Sequence, residues 1–148
     1  MKSFLRATPL AALVLAGACD SPSGSGGNSS VREVGYVQFR DAPVEVTVPA
    51  TARAGQAFTV RVVTRATGCS SADDTEVLVV GFSADVTPYD IRTTGPNLVC
   101  GDEVQVFTHT APVLFDTPGE ATVRVHGRRE PGDDAITITR AVTVQPAT

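Results

Sequence analysis

The residues of this 148-residue chain best equipped for chemistry are three cysteines, two histidines and the acidic pairs Asp73-Asp74 and Asp133-Asp134. Cys69 follows Gly68 and Cys100 precedes Gly101, and neither has a second cysteine close by. Redox dithiols and zinc sites draw on closely spaced thiols, so that pattern is missing. Both cysteines fall instead at the ends of expected strands, where loops from one side of a sheet can meet. In an oxidising compartment a disulfide between Cys69 and Cys100 is the natural outcome. Closing that loop would stabilise the fold by about 3.7 kcal/mol in the chain-entropy account, less any strain. His109 and His126 lie on different expected strands with no short ligand spacing at either. A metal carrier or enzyme built on His109, His126 and the two cysteines is therefore the remotest reading, and no metal or cofactor is expected.

Nucleophilic catalysis requires a nucleophile, a base and a group that orients the base. Nothing resembles a strained Gly-x-Ser-x-Gly turn, and neither histidine has triad-like neighbours, although triads assemble from distant positions. The reading is non-enzymatic, with no catalytic residue assigned. The acidic pairs lie in turn segments, where aspartate is favoured for its local backbone hydrogen bonds, and the EF-hand calcium pattern is missing. One cluster stands out in an acidic chain. Arg124, His126 and Arg128 share the outward face of one expected strand, with Arg129 just beyond. They could bind an anionic partner through planar guanidinium contacts, or form a solvated face paired with nearby Glu130 or Asp134.

The first thirty residues read as export and tether. Lys2 and Arg6 form a short basic region, Pro9 to Val14 an apolar stretch, and Ala16, Gly17 and Ala18 a run of small residues. The apolar stretch is shorter than the roughly 20 residues a membrane-spanning helix needs. Leu15-Ala16-Gly17-Ala18-Cys19 resembles the lipobox of bacterial lipoproteins, with Ala16 where leucine is commonest. The resemblance implies cleavage after residue 18 and acylation of Cys19, and two or more acyl chains hold a protein stably on a membrane. Cysteine arithmetic agrees, because removing Cys19 leaves an even pair for the disulfide. An ordinary secretory signal with a nearby cysteine is the alternative. Residues 19–30 then follow as a polar Ser/Gly linker that behaves as a flexible tether. Asp20 resembles the inner-membrane retention signal of enteric bacteria, yet the choice of membrane stays open.

The elements that would position these residues are strands. The composition is 42% hydrophobic and 19% charged, with no Trp. Its 22 Val and 18 Thr are β-branched and suit pleated surfaces better than helices. A formal charge of -4 and a pI near 5.0 argue against a nucleic-acid binder. Loss of residues 1–18 would remove Lys2, the sole lysine, and Arg6, making the mature chain more acidic still.

From Val31 onward short apolar runs alternate with turn residues, and the length suits one domain spanning 31–148. Val44, Val46 and Val48 share a face, ended by Pro49. Ala54-Gly55-Gln56 makes a turn, and Phe58, Val60, Val62 and Thr64 then share one parity. Val77 to Val80 is apolar on both parities and is expected to be a central strand covered on both faces. Weaker strands are expected near Asp85 to Arg92 and Glu103 to Thr110, with Pro88 and Pro112 marking edges or irregular passages. After a turn at Thr117-Pro118-Gly119, Val123 and Val125 point inward. Pro131 to Asp134 turns the chain again into a last strand through Ile136, Ile138, Val142 and Val144. Arg140 falls on that apolar parity, and a bulge or the sheet's rim would accommodate it.

Val46-Thr47-Val48-Pro49, Ala54-Gly55 and Phe58-Thr59-Val60 resemble the opening strands of bacterial immunoglobulin-like domains, and Pro118 to Val125 resembles their penultimate strand. The pattern gives seven or eight strands and no helix, an all-β domain, and the resemblance implies that they form a single immunoglobulin-like β-sandwich of antiparallel strands; it transfers no functional residue. The expected function is that of a non-catalytic, lipid-anchored binding or structural module of the bacterial cell envelope, periplasm-facing or surface-exposed. Its partners would be the membrane, through the lipid, and an envelope protein or surface polymer met by loops or an edge strand. An inhibitor or accessory protein that presents a rigid loop to a secreted enzyme is the alternative.

Overall fold

The computed structural model describes residues 27–147, so the expected signal segment and Cys19 lie outside the described residues. The described chain is all-β: β1 (Ser29–Val34), β2 (Tyr36–Phe39), β3 (Val46–Thr47), β4 (Thr51–Arg53), β5 (Phe58–Ala66), β6 (Ser70–Val80), β7 (Ser83–Thr94), β8 (Gln105–Val113), β9 (Gly119–Glu130) and β10 (Asp134–Gln145). Seven strands form one sheet, ordered β1-β7-β9-β10-β4, with β6 on β7 and β2 on β9. The other three form the sheet β3-β5-β8. Between them lies one core fed by both: Val60, Val62, Ala111 and Val113 from the small sheet, and Val86, Val123, Val125 and Val142 from the large one. Phe115, just after β8, is the one large aromatic sealed among them. A valine core is what period-two alternation of β-branched residues produces when one face of each strand is covered.

Four expectations change. The strands number ten among the described residues, not seven or eight, because two stretches divide. The Val44 to Val48 run keeps only Val46–Thr47 in the ladder with β5. Pro49 cannot donate to that ladder, and the chain passes to the other sheet, where β4 runs parallel to β10. The N-terminal stretch divides at Gly35, where β1 ends against β7 and β2 begins along β9. Second, the large sheet is mixed rather than antiparallel: β2 with β9, β7 with β9 and β4 with β10 are parallel pairs. Third, β6 is not central. Its one ladder is with β7, and Leu78 and Val80 are 62% and 66% exposed. A four-residue apolar run does not by itself separate a buried strand from one arm of a hairpin. Fourth, β1 begins at Ser29, inside the stretch read as tether. Ser29 and Ser30 pair with Thr94 and Thr93, and the Ser30 and Thr93 hydroxyls meet at 3.0 Å.

Pro88 shows why irregular passages occur where they do. On one side of β7, residues 83–86 pair with β9 and residues 89–94 pair with β1. Pro88 stands at the exchange of partners, where a missing N–H costs no ladder bond, and its carbonyl accepts from Gly35 at 2.9 Å. β7 is thus a central strand that tolerates a proline. Pro112 lies on β8, an edge of the small sheet, as expected. The β9–β10 register runs without a shift from Asp134 to Val144, so no bulge accommodates Arg140. That side chain is exposed, at the rim.

Candidate functional site

Two clusters, each containing one histidine, one aspartate and one threonine, concentrate the polar chemistry of the described residues. The first is sealed in the core. Thr64 on β5 and His109 on β8 come from the small sheet, and Asp90 on β7 comes from the large one. Their strands place them on core-facing parity, and each is at most 3% exposed. His109 Nε2 lies 3.1 Å from Asp90 Oδ1 and 2.9 Å from Thr64 Oγ1, and the Thr64 hydroxyl donates to the same Asp90 oxygen at 3.1 Å. A carboxylate only accepts, so Nε2 carries the hydrogen that points at Asp90.

This is not a catalytic triad. One ring nitrogen contacts both partners, so the imidazole cannot carry a proton from threonine on one side to aspartate on the other. Burial also denies a substrate access to the hydroxyl. The arrangement instead ties the two sheets together through polar groups. Gly35 roofs it: a Cβ there would stand 2.5 Å from Thr64 Cγ2 and 2.8 Å from Asp90 Oδ2. Asp90 Oδ2 has no hydrogen-bond partner, which makes the cluster costly to bury and sensitive to what lies over it.

The second cluster is on the open face of the large sheet, at the residues singled out as a basic face. The register sets Asp85 beside Arg124 across β7 and β9, and Thr137 beside His126 across β9 and β10. Arg124 grips Asp85 with two bonds of 2.8 Å. His126 Nε2 reaches the same carboxylate at 2.6 Å, while Nδ1 meets the Thr137 hydroxyl at 3.1 Å. Arg124 first and His126 second hold the Asp85 carboxyl below the usual carboxylate range. Arg128 is engaged elsewhere. Its Nε donates to the Val34 carbonyl at 2.6 Å, Nη1 to Asp133 at 3.0 Å, and its guanidinium stacks 4.1 Å above the Tyr36 ring. Arg129 donates to Gln38. The cations expected on this face are therefore there, but with Asp85, Asp133 and Glu33, the last 3.2 Å from Arg128 Nη2, as partners rather than Glu130 or Asp134.

The same face continues across β1. Arg32 stacks 3.5 Å from the Tyr89 ring centre and pairs with Asp73 at 2.7 Å and Glu76 at 2.9 Å. Arg32 first, then the Asp74 backbone, hold the Asp73 carboxyl low. Asp73 thus belongs to β6 and an ion pair, not to a free turn.

Cys69 and Cys100 form the disulfide the sequence led us to expect, with Cα atoms 5.1 Å apart. It closes one side of a shallow groove of about 360 Å3 lined by Thr67, Arg92, Thr94, Leu98 and Asp102 among others. Next to it, Val99 stands 95% exposed. His109 and His126 are not brought together: one faces the core from the small sheet, the other faces outward from the large one. Among the described residues no group of three His, Cys, Asp or Glu side chains is disposed to hold a metal ion. No family model, curated protein or solved structure matches this chain.

The sealed cluster was not singled out from sequence, though a signal existed. Thr64, Asp90 and His109 each break an apolar parity, as Arg140 does on β10. What joins them is the register between strands, which the sequence of any one strand does not contain.

Proposed function

We propose that this protein is a non-catalytic module of the bacterial cell envelope, held by acyl chains on Cys19 and folded as an immunoglobulin-like β-sandwich that contacts another envelope component. The observation that supports this reading most is the Cys69–Cys100 disulfide. It is the chemistry of an exported chain, and it occupies both cysteines of the domain, leaving Cys19 as the remaining thiol of three. The two His/Asp/Thr clusters fit a structural role, since one is sealed and the other is closed on itself by ion pairs. Two sheets over one valine core support the sandwich, and the mixed pairing of the large sheet makes immunoglobulin-like strand order part of the proposal. Labelling with a fatty-acid analogue tests the anchor: label on the wild-type chain and none on Cys19→Ser is expected. Equal labelling of both overturns it. Crosslinking and pull-down of the tagged lipoprotein from its own envelope then identifies the partner.

The inhibitor reading is favoured by one feature. Val99 projects from a loop braced at its base by the disulfide, and a braced loop binds at a lower entropic cost than a free one. A secreted protease that accepts small apolar residues is the matching target. Inhibition by the wild-type chain that is lost in Val99→Asp would support it, and equal behaviour of the two chains would remove it.

A further inference from the structure

The outer edge of β10 is open for most of its length. β9 covers one side from Asp134 to Val144, while β4 covers the other only at Thr143–Gln145. The bonds to that short neighbour reveal which residues face the free edge. The Thr143 N–H donates to the Ala50 carbonyl, and the Gln145 carbonyl accepts from the Ala54 N–H, both at 2.9 Å. Odd-numbered residues of β10 therefore direct their backbone groups away from β9. The register has no shift, so Ala135, Thr137 and Thr139 direct their backbone groups along the same edge. Among the described residues their one internal partner there is Arg140, whose Nη1 donates to the Thr139 carbonyl at 3.0 Å and must swing off it when a strand adds. Exposed ladders of this kind are templates for another strand.

Side chains then specify which strand fits. Among the described residues neither Asp134 nor Arg140 has an ion-pair partner in its own chain. Both lie on even, inward parity, at opposite ends of Ile136 and Ile138. We propose that this edge pairs antiparallel with the same edge of a second copy, about a two-fold axis through Thr137. In that register Thr137 faces Thr137 of the second copy, and Ala135 faces its Thr139, giving about six backbone hydrogen bonds. Asp134 faces Arg140 and Ile136 faces Ile138, each twice by symmetry. Sliding one copy by two residues sets Arg140 or Asp134 against an isoleucine, so the charges select one register. Arg140, the residue that violates the apolar parity of β10, thereby gains a purpose. It blocks unspecific strand addition, as an inward-pointing charge on an edge does, and admits the strand that carries an aspartate at the matching position. The paired segment fits between the β9–β10 turn and the start of β4. The pairing does not depend on acylation or on the identity of an envelope partner.

Crosslinking tests it, on the full chain as its host processes it, purified in mild detergent. Opposed Cα atoms of a hydrogen-bonded pair stand about 5.5 Å apart, within disulfide reach. Thr137→Cys is expected to give a covalent dimer on mild oxidation. Thr139→Cys, which faces Ala135 of the second copy, is not. Arg140→Asp in the Thr137→Cys background should weaken dimer formation about tenfold, because like charges then oppose each other at two places. Adding Asp134→Arg should restore it. Equal crosslinking at positions 137 and 139, or no recovery in the charge-swapped chain while its thermal melt stays that of a folded domain, overturns the proposal.

Discussion

The two His/Asp/Thr clusters use the same three residue types to opposite ends. Around Asp90 the groups are sealed between sheets, with no solvent to replace a lost partner. Around Asp85 the carboxylate is shared by Arg124 and His126 on an open sheet face, where water and salt compete with every contact. The difference shows that residue type and distance do not fix what a polar cluster contributes. Burial does, because removing one member of a sealed set leaves the others desolvated and unpaired, whereas an exposed set simply rehydrates.

His109→Ala is the sharpest way to break this comparison. It strips Asp90 of one of its two donors inside the core and leaves a cavity, and a loss of about 3–5 kcal/mol by denaturant titration is expected. His126→Ala removes a contact of similar geometry on the open face and should cost under about 1 kcal/mol. Equal losses would mean that the Asp90 site admits water. A companion experiment replaces the whole sealed set by apolar residues, Thr64→Val, Asp90→Leu and His109→Leu together. It should cost less than His109→Ala alone, since no orphaned charge remains.

Gly35 comes next in size. Adding one methyl there drives into Thr64 and Asp90, so Gly35→Ala should destabilise by about 1–3 kcal/mol although its backbone needs no positive φ. Gly127→Ala meets Val37 at 2.5 Å and should fall in the same range. Thr137→Val, on the open cluster, should change stability by no more than about 0.5 kcal/mol in the same titration. A tolerated Gly35→Ala would show that the roof of the sealed cluster can lift.

How far the sequence discloses this arrangement depends on the kind of information each feature needs. Alternation along Phe58 to Thr64 and along Val123 to Val125 is a property of single strands, and it places those residues correctly. The disulfide is legible because it needs only a count of thiols and a compartment. The sealed cluster needs three strands to be in register across two sheets. The partners of Arg124 and His126 fail for the same reason: the nearby carboxylates in sequence are Glu130 and Asp134, but Asp85 is adjacent only because β7 runs parallel to β9. The position of β6 at an edge is equally non-local. Its apolar residues satisfy a hairpin with β7 as well as they would a central strand, and only the packing of the rest of the chain decides.

The smallest effect concerns acid. Asp85 is held below the ordinary carboxylate range in the folded chain by Arg124 and then His126. A depressed folded value means that its contribution is complete above the unfolded pKa of about 3.9 and disappears as pH falls through the lower folded value. The open cluster should therefore keep its strength down to about pH 4 and lose it only below that. Because the site is solvent-screened, the loss should stay under about 1 kcal/mol. Asp85→Asn should lower stability slightly at neutral pH and flatten the stability curve below pH 4, so that mutant and wild type converge in acid. Curves that stay parallel to low pH would show that the carboxylate of Asp85, despite its three short contacts, adds nothing the uncharged amide does not supply.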